Sequence, residues 1–381
     1  MHKYIVRSAF TAKSPTGDRT MKKGEALCLS CSKAASLISR GLIVDAHIGL
    51  DLLDKYETRA KVLMEKLGYS QGGAQTEAVQ LVNSCLKRHE SMKSTRSPGA
   101  EFLAKVEEFN RNATGKNPIT KVDAETGVGE WAGYRCNIGH GCSHGCLYCY
   151  AEKMATRFKR VDGAEEWREE VLQDLSTEGC KKYDSAIMFP TSHDITPNYL
   201  DAYQCHLYNI LSSGNRVVLV SKPHRESIEA ICAEFSSFRD VLTFRFTIGG
   251  IDTTAMRHWE PGAPALAERL DCLKHAFEAG YRTSVSAEPM LGGSEEAEKL
   301  YYMLEPYATE DLWFGKMNMV GGLRKNQDPE IVRYATELYN LQTDEEIMEL
   351  VEKLDGLSKV QWKDSVKEII EKAAQSSGTE K

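Results

Sequence analysis

The sequence lacks any apolar stretch long enough to cross a bilayer. Its longest runs, such as Arg216-Val-Val-Leu-Val220, fall far short of the roughly 20 residues a spanning helix needs. The opening Met1-His-Lys-Tyr-Ile-Val-Arg7 has no uninterrupted apolar core of the kind that marks a secretion signal, so a cytoplasmic protein with no membrane contact is expected. Positive charge is not in excess either. Lys and Arg total 48 against 55 Asp and Glu, a formal charge of -7, which weighs against broad nucleic-acid binding but leaves room for a local basic groove. Low-complexity tracts and internal repeats are missing. With 381 residues, 41% hydrophobic and 27% charged, the chain reads as an ordinary globular protein of two or three domains.

Cysteine, by contrast, is plentiful. There are 11, an odd count that argues against a disulfide framework in a chain without a secretion signal. In a reducing compartment, closely spaced cysteines are more often metal ligands or catalytic thiols. Four of them fall between Cys136 and Cys149.

Residues 1–50 read as a small α+β module. Strand-like runs occur at Tyr4–Phe10 and Gly24–Leu29, followed by a short helix from Ser30 to Arg40 that Gly41 ends. Residues 51–92 carry helical periodicity, and 93–129 read as a polar linker holding one helix at Ala100–Asn110. From 130 to 325 the pattern becomes a regular alternation. Strand-like runs at 132–137, 184–190, 215–221, 241–248, 281–287 and 312–317 are separated by amphipathic segments of helical length. Parallel strands need such crossovers, so six units imply a parallel sheet. Right-handed crossovers favour a partial (β/α)6 TIM-like barrel, two units short of a full one. Residues 326–381 read as C-terminal helices.

The loop after the first of these strands is Gly141-Cys-Ser-His-Gly-Cys-Leu-Tyr-Cys-Tyr150, which spaces Cys142, Cys146 and Cys149 as C-x3-C-x2-C. A Gly-rich strand-to-helix connection is compact enough for three thiolates to converge on one face of a cubane. Cubane clusters normally take four cysteines, and a set of three leaves one iron open. Zinc is the competing reading, with Cys136, His140 or His144 as a fourth ligand, although Cys136 on the strand itself suits a packed thiol. A second zinc set is conceivable in Cys28 and Cys31 with Cys85 and His89, against packing of small thiols at a strand-to-helix junction.

This triplet, with aromatic Tyr148 before its last cysteine and at the head of a six-fold strand–helix array, resembles the radical S-adenosylmethionine superfamily. The resemblance covers about residues 130–325. It implies a [4Fe–4S] cluster on Cys142, Cys146 and Cys149, whose open iron chelates the amino and carboxylate groups of S-adenosylmethionine. One electron then cleaves the sulfonium, and a 5′-deoxyadenosyl radical abstracts hydrogen from a substrate. It places Tyr148 beside the adenine. In barrels of this kind the strand ends form the site, which singles out Ser192 and Asp194 in Thr191-Ser-His-Asp194, then Ser221, Lys222, Ser286 and Glu288, as contacts to cofactor or substrate.

Gly141–Ala151 and Thr191–Pro197 most resemble the branch related to spore photoproduct lyase, a DNA-repair enzyme, which implies nucleic acid as one substrate class. That branch also uses a hydrogen-returning thiol, for which Cys180 is the nearest candidate, before strand two. An acidic electron donor such as flavodoxin or ferredoxin is the expected partner, and Lys153, Arg157, Lys159 and Arg160 form a basic segment able to attract one. No catalytic residue is singled out. The alternative from another class is a non-catalytic zinc or iron–sulfur module whose N-terminal domain recruits a partner.

Overall fold

The computed structural model describes residues 2–6, 10–12, 19–22, 25–29, 37, 40, 42–45, 49–123 and 127–378. The chain divides into two compact units, Met1–Lys93 and Ser94–Lys381. No helix among the described residues is long and apolar enough to cross a membrane.

In the first unit, β1 (His2–Val6) pairs antiparallel with both β4 (Ala26–Leu29) and β5 (Ile43–Asp45), while β2 (Phe10–Ala12) and β3 (Arg19–Met21) form a separate ladder. Val6, Met21 and Ile43 make its small core. The periodicity of 51–92 resolves into α1 (Gly49–Glu65) and α2 (Gln71–Met92), and Ser70 caps the second by accepting a hydrogen bond from the Gly73 amide. Cys31 and the side chain of Cys28 lie outside the described residues. Cys85 packs with Leu52 and Val82.

The second unit is built on one eight-stranded sheet. Its order is β15 (Val360–Trp362), β14 (Leu312–Phe314), β13 (Arg282–Ala287), β12 (Leu242–Thr247), β11 (Val217–Ser221), β10 (Ile187–Phe189), β7 (Tyr134–Arg135) and β6 (Thr120–Lys121). All neighbours are parallel except β6 against β7. Apart from β8 (Gly139–His140) and β9 (Val171–Leu172), which form a separate antiparallel ladder, the spatial order from β7 to β15 follows chain order without reversal, which is the order of a singly wound sheet; a doubly wound one would reverse at a switch point. Among the described residues no ladder joins β15 to β6 or β7.

Two features depart from the sequence reading. Residues 94–129 are no free linker, because α3 (Ala100–Asn112) buries Phe102 and Val106 in the main core and β6 extends the sheet. The tail is not wholly helical: after α12 (Pro329–Asn340) and α13 (Asp344–Leu354) it supplies β15, before ending in α14 (Asp364–Gly378). A strand of three residues carries too little alternation to be read from sequence, and it exists through pairing with β14.

Register explains why the sheet's inner face is polar. Val220, Arg245 and Ser284 share one row, and Thr247 and Ser286 share another. The alternate residues, Phe244, Phe246, Val285 and Ala287, join the hydrophobic core on the other side. Each fully buried phenylalanine contributes roughly 1.5–3 kcal/mol.

Burial holds four histidines of this unit, His193, His206, His224 and His258, below their usual range. Burial pushes His206, beside Thr177 and Phe109, down to about 4, and His193 likewise to about 4. Their neutral forms are favoured in the fold, so this contribution to stability is complete above about pH 6.5 and is lost as pH falls towards 4. Urea midpoints measured across that window should decline, and His206→Gln should flatten the decline.

Candidate functional site

Gly141 opens the thiol loop in a conformation only glycine adopts comfortably. Its φ is +83°, and an added Cβ would sit 1.9 Å from the Glu169 carbonyl oxygen. Gly141→Ala should therefore distort the loop and lower the thermal midpoint by several degrees, read by circular dichroism. Downstream, Glu170 clamps the loop: its carboxylate accepts from the Ser143 amide and hydroxyl at 3.2 and 2.6 Å, and from Thr196 and Asn198. The loop ends at Cys149, the N-cap of α4 (Tyr150–Arg157), whose sulfur accepts from the Glu152 amide at 3.4 Å.

A cavity of about 500 Å³ opens on the inner face of the sheet. Cys142, Cys146 and Cys149 line it, as do Tyr148, Ser192, Asp194, Ser221, Lys222, Ser286 and Glu288. All ten residues singled out from sequence therefore share one cavity. Burial pushes the Cys146 thiol up to about 12 and raises Cys142 as well, so without metal both are held protonated. Among the described residues, no three His, Cys, Asp or Glu side chains stand close enough to hold a single ion. Cys136 lies in the main core.

Asp194 is a hub. Its carboxylate accepts from the Ser221 hydroxyl at 2.5 Å, the Lys222 amide at 2.9 Å and the Ile195 amide at 2.8 Å, and His144 Nδ1 stands 3.3 Å away. Burial alone would raise its pKa, but His144, Lys222 and Ser221 outweigh burial and hold it far below the usual carboxylate range. The Asp194 carbonyl also accepts from the Tyr203 hydroxyl, and His144 Nε2 lies 2.9 Å from His224 Nε2. With both oxygens engaged by protein groups, Asp194 ties the thiol loop to the end of β11.

A second buried group holds the loop from the other side. Glu260, on the segment after α8 (Thr253–Trp259), pairs with Arg269 at 2.5 Å, each side chain only 1% exposed. It accepts from the Tyr148 hydroxyl and stands 3.8 Å from Lys222 Nζ. Arg269 donates further to the Pro264 and Thr247 carbonyls. Backbone bonds from Leu147 to Trp259 and from Gly262 to His144 complete the clamp. Lys222 lies over the Tyr148 ring at 5.6 Å; burial would lower its pKa, but the Glu260 and Asp194 carboxylates raise it and keep the ammonium charged.

At the far end, Lys363 pairs with Glu130 and stands 3.4 Å from Glu288, and its ammonium also lies 4.2 Å from the Trp131 ring centroid. Burial raises Glu288 above the usual range, against the pull of Lys363. Ser286 Oγ is buried and has no hydrogen-bond partner among the described residues. A buried hydroxyl on a cavity wall without a partner calls for one from a ligand.

Sequence reasoning followed the strand ends and so reached Ser221 and Glu288. It missed Glu260 and Glu170, which sit in connections, Arg269, which sits on the helix Leu266–Glu278, and Lys363, which sits beyond the unread β15. The pairing of Glu260 with a buried arginine nine residues on carries no local signal.

No family model matches the chain, and no curated protein matches it. Among solved structures, Streptococcus suis SuiB is similar in three structures. Bound to S-adenosylmethionine it shows 11% identity and a TM-score of 0.31, covering 89% of this chain and 69% of that one. A second SuiB structure gives 13% and 0.35, covering 94% and 72%. Bound to precursor peptide SuiA it gives 11% and 0.35, covering 97% and 75%. At that level of similarity, assignment rests on this chain's own residues.

Proposed function

We propose that this chain is a radical S-adenosylmethionine enzyme, with its sheet arranged as a partial barrel around the site. The observation that carries the reading is the convergence of three thiols, spaced C-x3-C-x2-C, with strand-end polar groups on one cavity. The residues fit a cubane: three soft ligands, a backbone amide aimed at the Cys149 sulfur, and cavity space beside them for a further ligand. Cys142, Cys146 and Cys149 would hold the cluster. When bound, the cluster and S-adenosylmethionine supply one-electron cleavage of a sulfonium and hydrogen abstraction by the resulting radical.

The chain's own residues bind and orient. Ser286 offers a free hydroxyl to a ribose or carboxylate, and Lys222 supplies fixed positive charge beside Tyr148. Ser192 and Glu288 face the same space. Asp194 acts through Ser221, Lys222 and His144 and so is a positioning residue rather than a direct cofactor contact.

Among the described residues, a thiol that returns hydrogen, as the lyase resemblance implies, has no counterpart on the cavity wall outside the loop. The three loop cysteines are the cysteines on the cavity wall, and Cys180 is buried in the main core, its sulfur 3.9 Å from the Asn209 carbonyl. The reaction proposed is therefore hydrogen abstraction in general, not that lyase reaction.

Anaerobic reconstitution tests the reading. The product should be brown, carry about four irons per chain and form 5′-deoxyadenosine from S-adenosylmethionine under dithionite. Colourless protein holding one zinc would overturn it.

A further inference from the structure

Around the inner face of the sheet, the fold leaves several buried donors unused. Arg245 on β12 is 5% exposed, and its Nε donates to the Ser284 hydroxyl at 2.9 Å. Its Nη1 has no hydrogen-bond partner among the described residues. The same holds for the indole Nε1 atoms of Trp131 and Trp313 and for the Ser286 hydroxyl. These four donors are contiguous. The Arg245 guanidinium lies 4.6 Å from the Trp131 ring centroid and 5.5 Å from that of Trp313, and the two rings stand 5.8 Å apart. Ser286 is the register partner of Trp313. Trp131 and Ser286 line the cavity that the thiol loop also lines.

A buried donor without an acceptor is costly, so four side by side favour a ligand rich in acceptor oxygens. Charge narrows the class. The Lys363 ammonium lies over the same Trp131 ring as Arg245, and both cations favour an anion. Acids already stand near them, with Asp311 4.0 Å from Arg245 and Glu288 3.4 Å from Lys363, which also pairs with Glu130. Those acids repel a dianionic phosphate more than a carboxylate, which brings one charge and two acceptor oxygens.

We propose that this donor cluster seats a carboxylate of the substrate, an inference that rests on the radical reading above and makes the substrate a carboxylic acid. Trp131 and Ser286 donate to its oxygens from the cavity wall. Arg245, against the Trp131 ring, supplies the charge that holds it. The cofactor's own carboxylate is expected on the open iron beside the three thiols, which leaves this cluster for the second ligand.

The test measures binding to the full chain by saturation-transfer NMR, a readout that needs no turnover. Sodium propionate should bind saturably and at least about tenfold more tightly than inorganic phosphate, while 1-propanol, similar in size but uncharged, gives no saturable signal. Trp131→Phe keeps a ring beside both cations and removes one donor, so it should raise the propionate dissociation constant about threefold to tenfold. Arg245→Gln should abolish binding. Should that variant fail to fold, Trp131→Phe, checked by circular dichroism, decides alone. In the reconstituted chain, saturating S-adenosylmethionine should leave propionate bound. Displacement by S-adenosylmethionine would give the cluster to the cofactor and overturn the proposal. Equal propionate affinity in wild type and Trp131→Phe overturns it too, as does tighter binding of phosphate. Propionate that does not bind would show that water suffices for these donors, and the proposal would fall. If propionate binds as described but the reconstituted chain forms no 5′-deoxyadenosine with dithionite, the radical reading fails while the carboxylate site stands.

Discussion

Arg269→Ala is expected to destabilise the larger unit by about 3–5 kcal/mol, because it strands Glu260 as a buried, unpaired charge. Both side chains are 1% exposed, and the guanidinium also satisfies the Pro264 and Thr247 carbonyls. Glu260 is ionised although burial opposes it: Arg269 and Lys222 outweigh that cost and hold its carboxyl below the usual range. Removing Arg269 leaves the weaker, 3.8 Å Lys222 contact. Urea denaturation followed by far-ultraviolet circular dichroism reads the loss. A change under about 1 kcal/mol would show that the pair is solvated and not the buried clamp described here. Because Glu260 also receives the Tyr148 hydroxyl, the variant should loosen the thiol loop before it unfolds the sheet.

Cys146→Ala is expected to abolish iron loading and 5′-deoxyadenosine formation while leaving secondary structure intact. On the proposed reading the three sulfurs act as one unit, and a cubane deprived of one ligand would be lost. The thiol itself contributes little to the fold. It lies on a cavity wall, and alanine there leaves no polar partner stranded. Iron analysis after anaerobic reconstitution checks the first part and circular dichroism the second. Retained four-iron loading would mean that other residues hold the metal.

Much of the site was legible because the chemistry is local. Three cysteines within eight residues, followed by polar groups at successive strand ends, are visible without coordinates. The six core strands were legible for a related reason, since each alternates with a helix long enough to show its period. Contacts between distant connections were not legible. Nothing near Tyr148 announces Glu260, which lies 112 residues on. Nothing near Glu288 announces Lys363, carried in by a three-residue strand. Asp194 was found, but its part changed: the sequence offered a carboxylate at a barrel mouth, whereas the structure spends both oxygens on Ser221, Lys222, Ile195 and His144.

Pulsed ENDOR on the reduced, reconstituted protein, with S-adenosylmethionine labelled at its amino nitrogen and carboxylate, addresses the central claim most directly. Resolved hyperfine coupling between the cluster and both labelled groups is predicted, and it should disappear in Cys142→Ala, Cys146→Ala and Cys149→Ala. A cluster that forms fully yet shows no coupling to either label would mean that no iron is open to the cofactor, and the account would be wrong.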